Sequence, residues 1–304
     1  MEFFTHRTEI DFMAQKKWAF IFSLAILIFS IGSIIIRGLN LGLDFTGGVQ
    51  LELSYESPPD FDRIRESIKN IGYDPIVQAY GSSKDVMIKL KLDREISQEQ
   101  LTNKVSDALD GAQLRRSEVT GAQVGETLVL NGMLAILVAL IGTMIYIAFR
   151  FEYRFALSAA ISLIHDPLLI LGVFSFFKLE FDLITLAAIL TVIGYSLNDT
   201  IVVYDRVREN FRKVRKATSE EILNLSINQT LSRTIMISGI TFFIITILLI
   251  FGGQMLRGFS LAMMIGIVVG TYSSIYIAGS LALLFGLDRK HLIPAEKKVV
   301  DSMP

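Results

Sequence analysis

Two aspartates stand where charge is expensive. Asp199 follows Asn198 inside an apolar stretch that begins near Leu183, and Asp166 follows His165 inside one that begins near Phe155. A carboxylate in a membrane-spanning helix costs roughly 2.5–3.5 kcal/mol on insertion scales, so such groups are seldom idle. On a helix, Thr191, Tyr195, Asn198 and Asp199 share one face, and the rest of the surface is Ile, Leu and Val. That face is expected to look into protein rather than lipid. The plainer reading is an aspartate capped by neighbouring hydroxyls that serves helix packing alone. Asp166 lies about 18 Å along a helix from Arg154, near mid-bilayer. Pro167 beside it removes a donor and frees a carbonyl. His165 and Asp166 therefore read either as helix glue or as a proton relay.

Arg233 heads a further apolar stretch, with Thr230, Thr234, Ser238 and Thr241 along one side of it. It reads either as an interfacial cation that snorkels to the surface or as the counter-ion of Asp199. Protonating Asp199 would neutralise it and loosen such a pair, and deprotonation would restore both. A proton crossing the membrane releases about 2.3 kcal/mol per 100 mV, so this chemistry suits a proton-driven device.

The elements that must position these residues are spans. Of 304 residues, 52% are hydrophobic, and the mean hydropathy of +0.51 comes from long uncharged runs. The class is a polytopic α-helical membrane protein with six transmembrane helices. Residues 1–17 form a polar tail and 18–36 the first span, taken as an uncleaved anchor because its core is too long for a signal peptide. Residues 37–126 are hydrophilic. Residues 127–285 hold the other five spans with a basic loop at 204–233, and 286–304 form the second tail. There is no cysteine, and His6, His165 and His291 lack metal-ligand spacing. With no phosphate-binding loop or dinucleotide fingerprint either, no catalytic residue, cofactor or metal is expected, and the chain does not read as an enzyme.

The hydrophilic stretch opens on a turn-rich connector, Asn40 to Gly48. Val49, Leu51, Leu53 and Tyr55 then alternate as a strand, Phe61 to Ile71 follow helical spacing, and Ile76–Tyr80 and Val86–Leu92 read as strands. Ser97 with Gln100 makes a capping box for a helix bearing Leu101, Val105 and Leu109, and Leu114–Thr120 gives a last strand. The order β-α-β-β-α-β predicts an inserted α+β ferredoxin-like domain between the first and second spans. Its 11 basic and 15 acidic residues show no nucleic-acid face.

Basic residues alternate between connections. Lys16, Lys17, Arg150, Arg154, Arg206, Arg208, Arg212, Lys213, Arg215, Lys216 and the tail's Arg289 and Lys290 fall on one side, against Lys178 and Arg257 in the other short loops. This predicts cytoplasmic termini and an extracytoplasmic (periplasmic) soluble domain. Ile222, Leu223, Leu225, Ile227 and Leu231 suggest a helix along the inner membrane face, with the basic run meeting lipid headgroups or a partner. The last span carries small residues every fourth position from Gly258 to Gly286, a ridge for close helix packing. A proton-driven mechanical device, a proton-driven small-molecule exporter and a passive scaffold are the competing functions. The small soluble unit weighs against the exporter, and two intramembrane aspartates weigh against the scaffold.

LGLDFTGG at Leu41–Gly48, SLIHDP at Ser162–Pro167, VIGYSLNDTIVVYDRVREN at Val192–Asn210 and TLSRT at Thr230–Thr234 resemble the SecD/SecF family of the resistance-nodulation-division superfamily. The resemblance runs over nearly the whole chain, and the single small soluble domain favours the SecF side. It implies a six-helix subunit of the bacterial inner membrane that pairs with SecD and acts with the SecYEG channel after SecA-driven insertion. Such a unit uses the proton-motive force to draw an unfolded secretory polypeptide outward. The resemblance also places the proton pathway at Asp199 and Arg233, and leaves Asp166 less certain. Relatives often carry His where this chain has Ser232, so a role for that histidine is not carried over.

Overall fold

The computed structural model describes residues 8–91 and 98–288. Among these residues six helices are long and apolar enough to cross a membrane, and the chain is a polytopic helical membrane protein. They are α1 (Lys16–Arg37), α5 (Ala122–Arg150), α6 (Tyr153–Phe177), α7 (Leu183–Lys213), α8 (Ser219–Phe251), and a sixth made of α9 (Arg257–Tyr272), a π-helical turn at Ser273–Ala278, and α10 (Gly279–Leu284). Between α1 and α5 lie β1 (Asn40–Leu41), α2 (Leu43–Thr46), β2 (Gly48–Ser54), α3 (Phe61–Asn70), β3 (Ile76–Tyr80), β4 (Ser82–Leu90), α4 (Gln98–Ala108) and β5 (Gln113–Thr120); β6 (Glu180–Phe181) precedes α7.

The bundle is organised on α6, α7 and the sixth helix. About two thirds of the α6 span is buried (67%), against 6% for α5. The reason is composition. Helix α5 is apolar on every side and offers no stripe to bury, whereas α6 and α7 carry polar and small residues that lipid cannot satisfy. Helix α1 touches the bundle through three serines. Ser23, Ser30 and Ser33 are its buried residues, and Ser33 donates to Ser175 at 3.1 Å. A Cβ at Gly172 would collide with Ser30, so glycine there sets how closely α1 and α6 approach.

The soluble unit is a four-stranded antiparallel sheet in the order β3-β4-β2-β5, covered on one face by α3 and α4. Val49, Leu51 and Leu53 of β2 point into that core as the period of two requires, and Ile64, Ile68, Leu101 and Val105 meet them. Asp60 caps α3 by accepting from Asp62 and Arg63 amides. The expected cap at Ser97 and the strand's continuation to Leu92 lie outside the described residues.

Several expectations change. The connector at 40–48 is structured: β1 pairs in parallel with β6, and α2 turns the chain into β2. Gly47 and Gly48 both have positive φ (75° and 156°), and a Cβ on Gly48 would strike the Leu90 carbonyl. The stretch at 204–233 is no open loop: α7 continues to Lys213, and a capping box of Thr218 and Glu221 starts α8 at Ser219. The helix expected along the membrane face is therefore the first part of α8. Ile222, Leu223, Ile227 and Leu231 are buried against the bundle. The polar tail is docked too. Phe12 and Met13 are buried, Asn228 exchanges hydrogen bonds with Ile10 (2.9 and 2.8 Å), and Lys16 pairs with Glu220. The last helix runs on through its π turn, which shifts the four-residue register expected for its small side chains.

Candidate functional site

Helix α7 carries two neighbouring polar stripes; one holds Asp199, and the other faces Asp166 of α6. On the first, Asp199 is 2% exposed, and its Oδ2 has no hydrogen-bond partner. The Ser238 hydroxyl of α8 acts on this carboxylate. Ser238 also accepts from Tyr195 at 3.0 Å and lies 3.0 Å from Thr271 Oγ1. Thr230, Thr234 and Ser238 are buried along one side of α8, as their spacing predicts. Arg233 does not head its helix. It lies well inside α8, is exposed, and its charge reaches Asp199 only at longer range, with no ion pair between them among the described residues. Nor is the whole Thr191–Asp199 stripe turned inward. Asp199 is buried and Tyr195 half-buried, but Thr191 and Asn198 are exposed at the bundle's edge. A helix can bury only part of so wide a stripe against the single neighbour α8.

The second stripe is more extensive. Ser196, Thr200 and Tyr204 follow one another at a spacing of four and face α6 and the sixth helix. Asp166 of α6 is fully buried, and its Oδ2 accepts from Ser196 at 2.5 Å and from Ser273 at 2.8 Å. Its Oδ1 lies 2.9 Å from His165 Nδ1, and His165 Nε2 lies 2.6 Å from Ser23 Oγ. Further along, Thr200 meets Ser274 at 3.0 Å. Tyr204 meets Ser158 at 2.7 Å and donates to the Ala278 carbonyl at 3.1 Å. The network joins α1, α6, α7 and the sixth helix around one carboxylate.

Small residues make this approach possible. A Cβ at Gly270 would sit 3.1 Å from the Ser196 Cβ, and one at Gly266 would overlap Val192. The π turn then directs both Ser273 and Ser274 inward. Such turns often occur at functional positions. The sequence signal missed for these partners was the second periodic set, Ser196, Thr200 and Tyr204, overlooked beside the conspicuous Asn198-Asp199 pair. No group of three or more His, Cys, Asp or Glu placed to hold a metal occurs among the described residues.

The end of α7 far from its basic residues is tied to the soluble unit. Asp182 caps α7 through the Thr185 amide at 2.8 Å, and Asp44 accepts from the Leu183 amide at 3.1 Å. Carboxylates suit this place because the first amides of a helix lack partners and carry partial positive charge. Phe45 stacks on Phe181 with centroids 5.7 Å apart. Lys89 of β4 pairs with Glu180 at 2.8 Å, and Gln78 of β3 reaches the same carboxylate at 3.4 Å.

Comparison with known proteins gives the chain's family. Residues 100–288 match the family model for the C-terminal part of the protein export membrane proteins SecD and SecF, and residues 32–59 match the SecD/SecF GG motif. The chain is 46% identical to a protein translocase subunit SecF from Vibrio alginolyticus, over 94% of this chain and 93% of that one. It is also 46% identical to a SecF from Pseudomonas aeruginosa, over 97% and 98%. Among solved structures, it superposes on SecDF from Thermus, described as a translocon-associated membrane protein, with a TM-score of 0.79 at 36% identity. That match covers 91% of this chain and 39% of that one. A second SecDF structure, in a super-membrane-facing form, gives 0.73 at 35% identity, covering 93% and 39%.

Proposed function

The chain belongs to the SecD/SecF family of protein export membrane proteins, on its SecF side, and from that premise we propose that it couples the proton-motive force to late steps of polypeptide export. The observation that carries this reading is the contrast between its two buried aspartates. Asp166 has hydrogen bonds to both oxygens, whereas Asp199 keeps one oxygen unpartnered, with an arginine within electrostatic reach. A carboxylate with a free oxygen and few partners is the one whose charge can change without dismantling the bundle. Asp199 is then the proton carrier, Arg233 modulates it, and Tyr195 and Asn198 flank it. His165 and Asp166 form a second polar centre, against the Ser196–Tyr204 stripe of α7.

Exposure of Thr191, Asn198 and Arg233 supports a partner at this face, because polar groups at span depth need covering. The partner is a SecD-type subunit. This chain matches 39% of a SecDF chain, which leaves room in that protein for a second set of spans. SecYEG and SecA are functional partners in this reading, with an unfolded secretory polypeptide as substrate. The strand order β3-β4-β2-β5, with helices on one face, supports a ferredoxin-like label for the soluble unit. The basic end of α7, with Arg212 and Lys213, and Arg215 and Lys216 just after it support an inner-membrane subunit with cytoplasmic termini and a periplasmic soluble unit. The Asp44 and Glu180 contacts at the start of α7 supply a route for motion between α7 and that unit. Export of a secretory protein with and without a proton gradient, in cells carrying Asp199→Asn, tests the proposal.

A further inference from the structure

A groove runs between α1 and the end of the sixth helix. Its outer part, about 510 Å³, is lined by Lys16, Lys17, Phe20, Ser280 and Leu281 among others. Its inner part, about 280 Å³, continues past Phe20 and Leu281 to Leu24, Leu27 and Ile277, and ends on Ser23 and His165. The two parts share Phe20 and Leu281 in their walls, so they adjoin along α1. From Lys17 to Leu27 the helix rises about 15 Å. That is half of the roughly 30 Å hydrocarbon core, the depth of one leaflet.

The mouth and the interior differ in chemistry. The Ser280 hydroxyl is buried with no hydrogen-bond partner. Lys16 is answered by Glu220, but Lys17 is exposed and makes no ion pair among the described residues. A cation and an unsatisfied hydroxyl donor thus converge at the mouth of a deep apolar slot. We infer that this groove seats one anionic phospholipid of the leaflet at the basic end. Its phosphate meets Lys17 and Ser280, and one acyl chain lies along Phe20, Leu24 and Ile277. This inference does not rest on the proton-coupling proposal. It separates a held lipid from the ordinary shell around α1 and α5, because the shell has neither the hydroxyl nor the slot.

Photolabelling tests it. The full chain, with its partner subunit present, is placed in phosphatidylcholine vesicles holding a minor fraction of phosphatidylglycerol with a photoreactive group at the end of one acyl chain. Labelled residues are then mapped by mass spectrometry. Label is expected at Leu27, Ile164, Leu168 and Ile277, displaced by unlabelled phosphatidylglycerol and not by phosphatidylcholine. Lys17→Gln is expected to weaken this selectivity by about five-fold, from the usual contribution of one lysine near an anionic surface. Lys17→Arg should retain it. Leu24→Trp, which fills the slot, should remove the deep label while assembly is preserved. Label spread evenly over the exposed faces of α1 and α5 would overturn the inference. So would equal labelling by a phosphatidylcholine probe, or indifference to both Lys17→Gln and Leu24→Trp.

Discussion

Ser196 donates to Asp166 at 2.5 Å, and three residues later, about 60° around the same helix, Asp199 faces α8 instead. One carboxylate holds the helix that carries the other. Asp166, held by Ser196, Ser273 and His165, sets the position of α7 against α6 and the π turn. Asp199 sits on that fixed helix with one oxygen unpartnered.

This division predicts opposite consequences for two similar substitutions. Asp166→Ala strands Ser196, Ser273 and His165 in the bundle and should cost about 3–5 kcal/mol, the usual result of breaking a buried charged network. Asp199→Asn removes a buried charge with an unpartnered oxygen and should change stability by less than about 1 kcal/mol. Thermal unfolding of the purified complex in detergent measures both. Equal losses, or the larger loss at Asp199, would contradict the assignment.

The spans and the order of strands and helices in the soluble unit were legible in the residue pattern, because each rests on local periodicity or composition, and the burial of Asp199 follows from its place in an apolar run. What stayed hidden depended on which helices become neighbours. Ser23, Ser196 and Ser273 are ordinary serines in sequence, and only packing brings them to His165 and Asp166. The π turn has no residue signature, and the small-residue ridge through it reads as unbroken α-helix. The separate helix expected at 219–232 failed for a similar reason: its apolar residues bury against the bundle, and no breaking residue parts them from the span.

Asp44→Ala removes a carboxylate from the start of α7, and a lost cap of this kind costs about 1 kcal/mol. Amide exchange at Leu183 should quicken by about five-fold, since 1.4 kcal/mol corresponds to about ten-fold. Thr185 should be spared, because Asp182 serves it. Asp182→Ala should reverse that pattern. Unchanged exchange at Leu183 would remove Asp44 from the junction.

Lys89 and Glu180 are only 14% and 19% exposed, so their ion pair is less screened than a surface one. Lys89→Glu should loosen the soluble unit from the membrane helices, and Lys89→Glu with Glu180→Lys should restore it. A double-mutant cycle on thermal unfolding should give a coupling of about 1–3 kcal/mol. Additive losses would show that the two do not interact.

Asp85 accepts from Ser82 Oγ at 2.7 Å, and that bond, helped by Ser54 and the charge of Arg115, holds its carboxyl below the ordinary value. A lowered pKa stabilises the fold above the unfolded value and is lost as pH falls through the folded one. Amide protection in β4 should therefore decline on acidification below the usual carboxylate range, and less steeply in Asp85→Asn. Identical profiles would exclude the group.

In the proposed mechanism Asp199 changes charge to move polypeptide. The most direct test of this is export of a secretory protein in inverted membrane vesicles, with and without a proton gradient, comparing wild type with Asp199→Asn after confirming equal amounts of assembled complex. The account predicts that the gradient-dependent part of export disappears in the variant while the gradient-independent part persists. Gradient stimulation equal to wild type would make Asp199 a packing residue and leave the chain a scaffold.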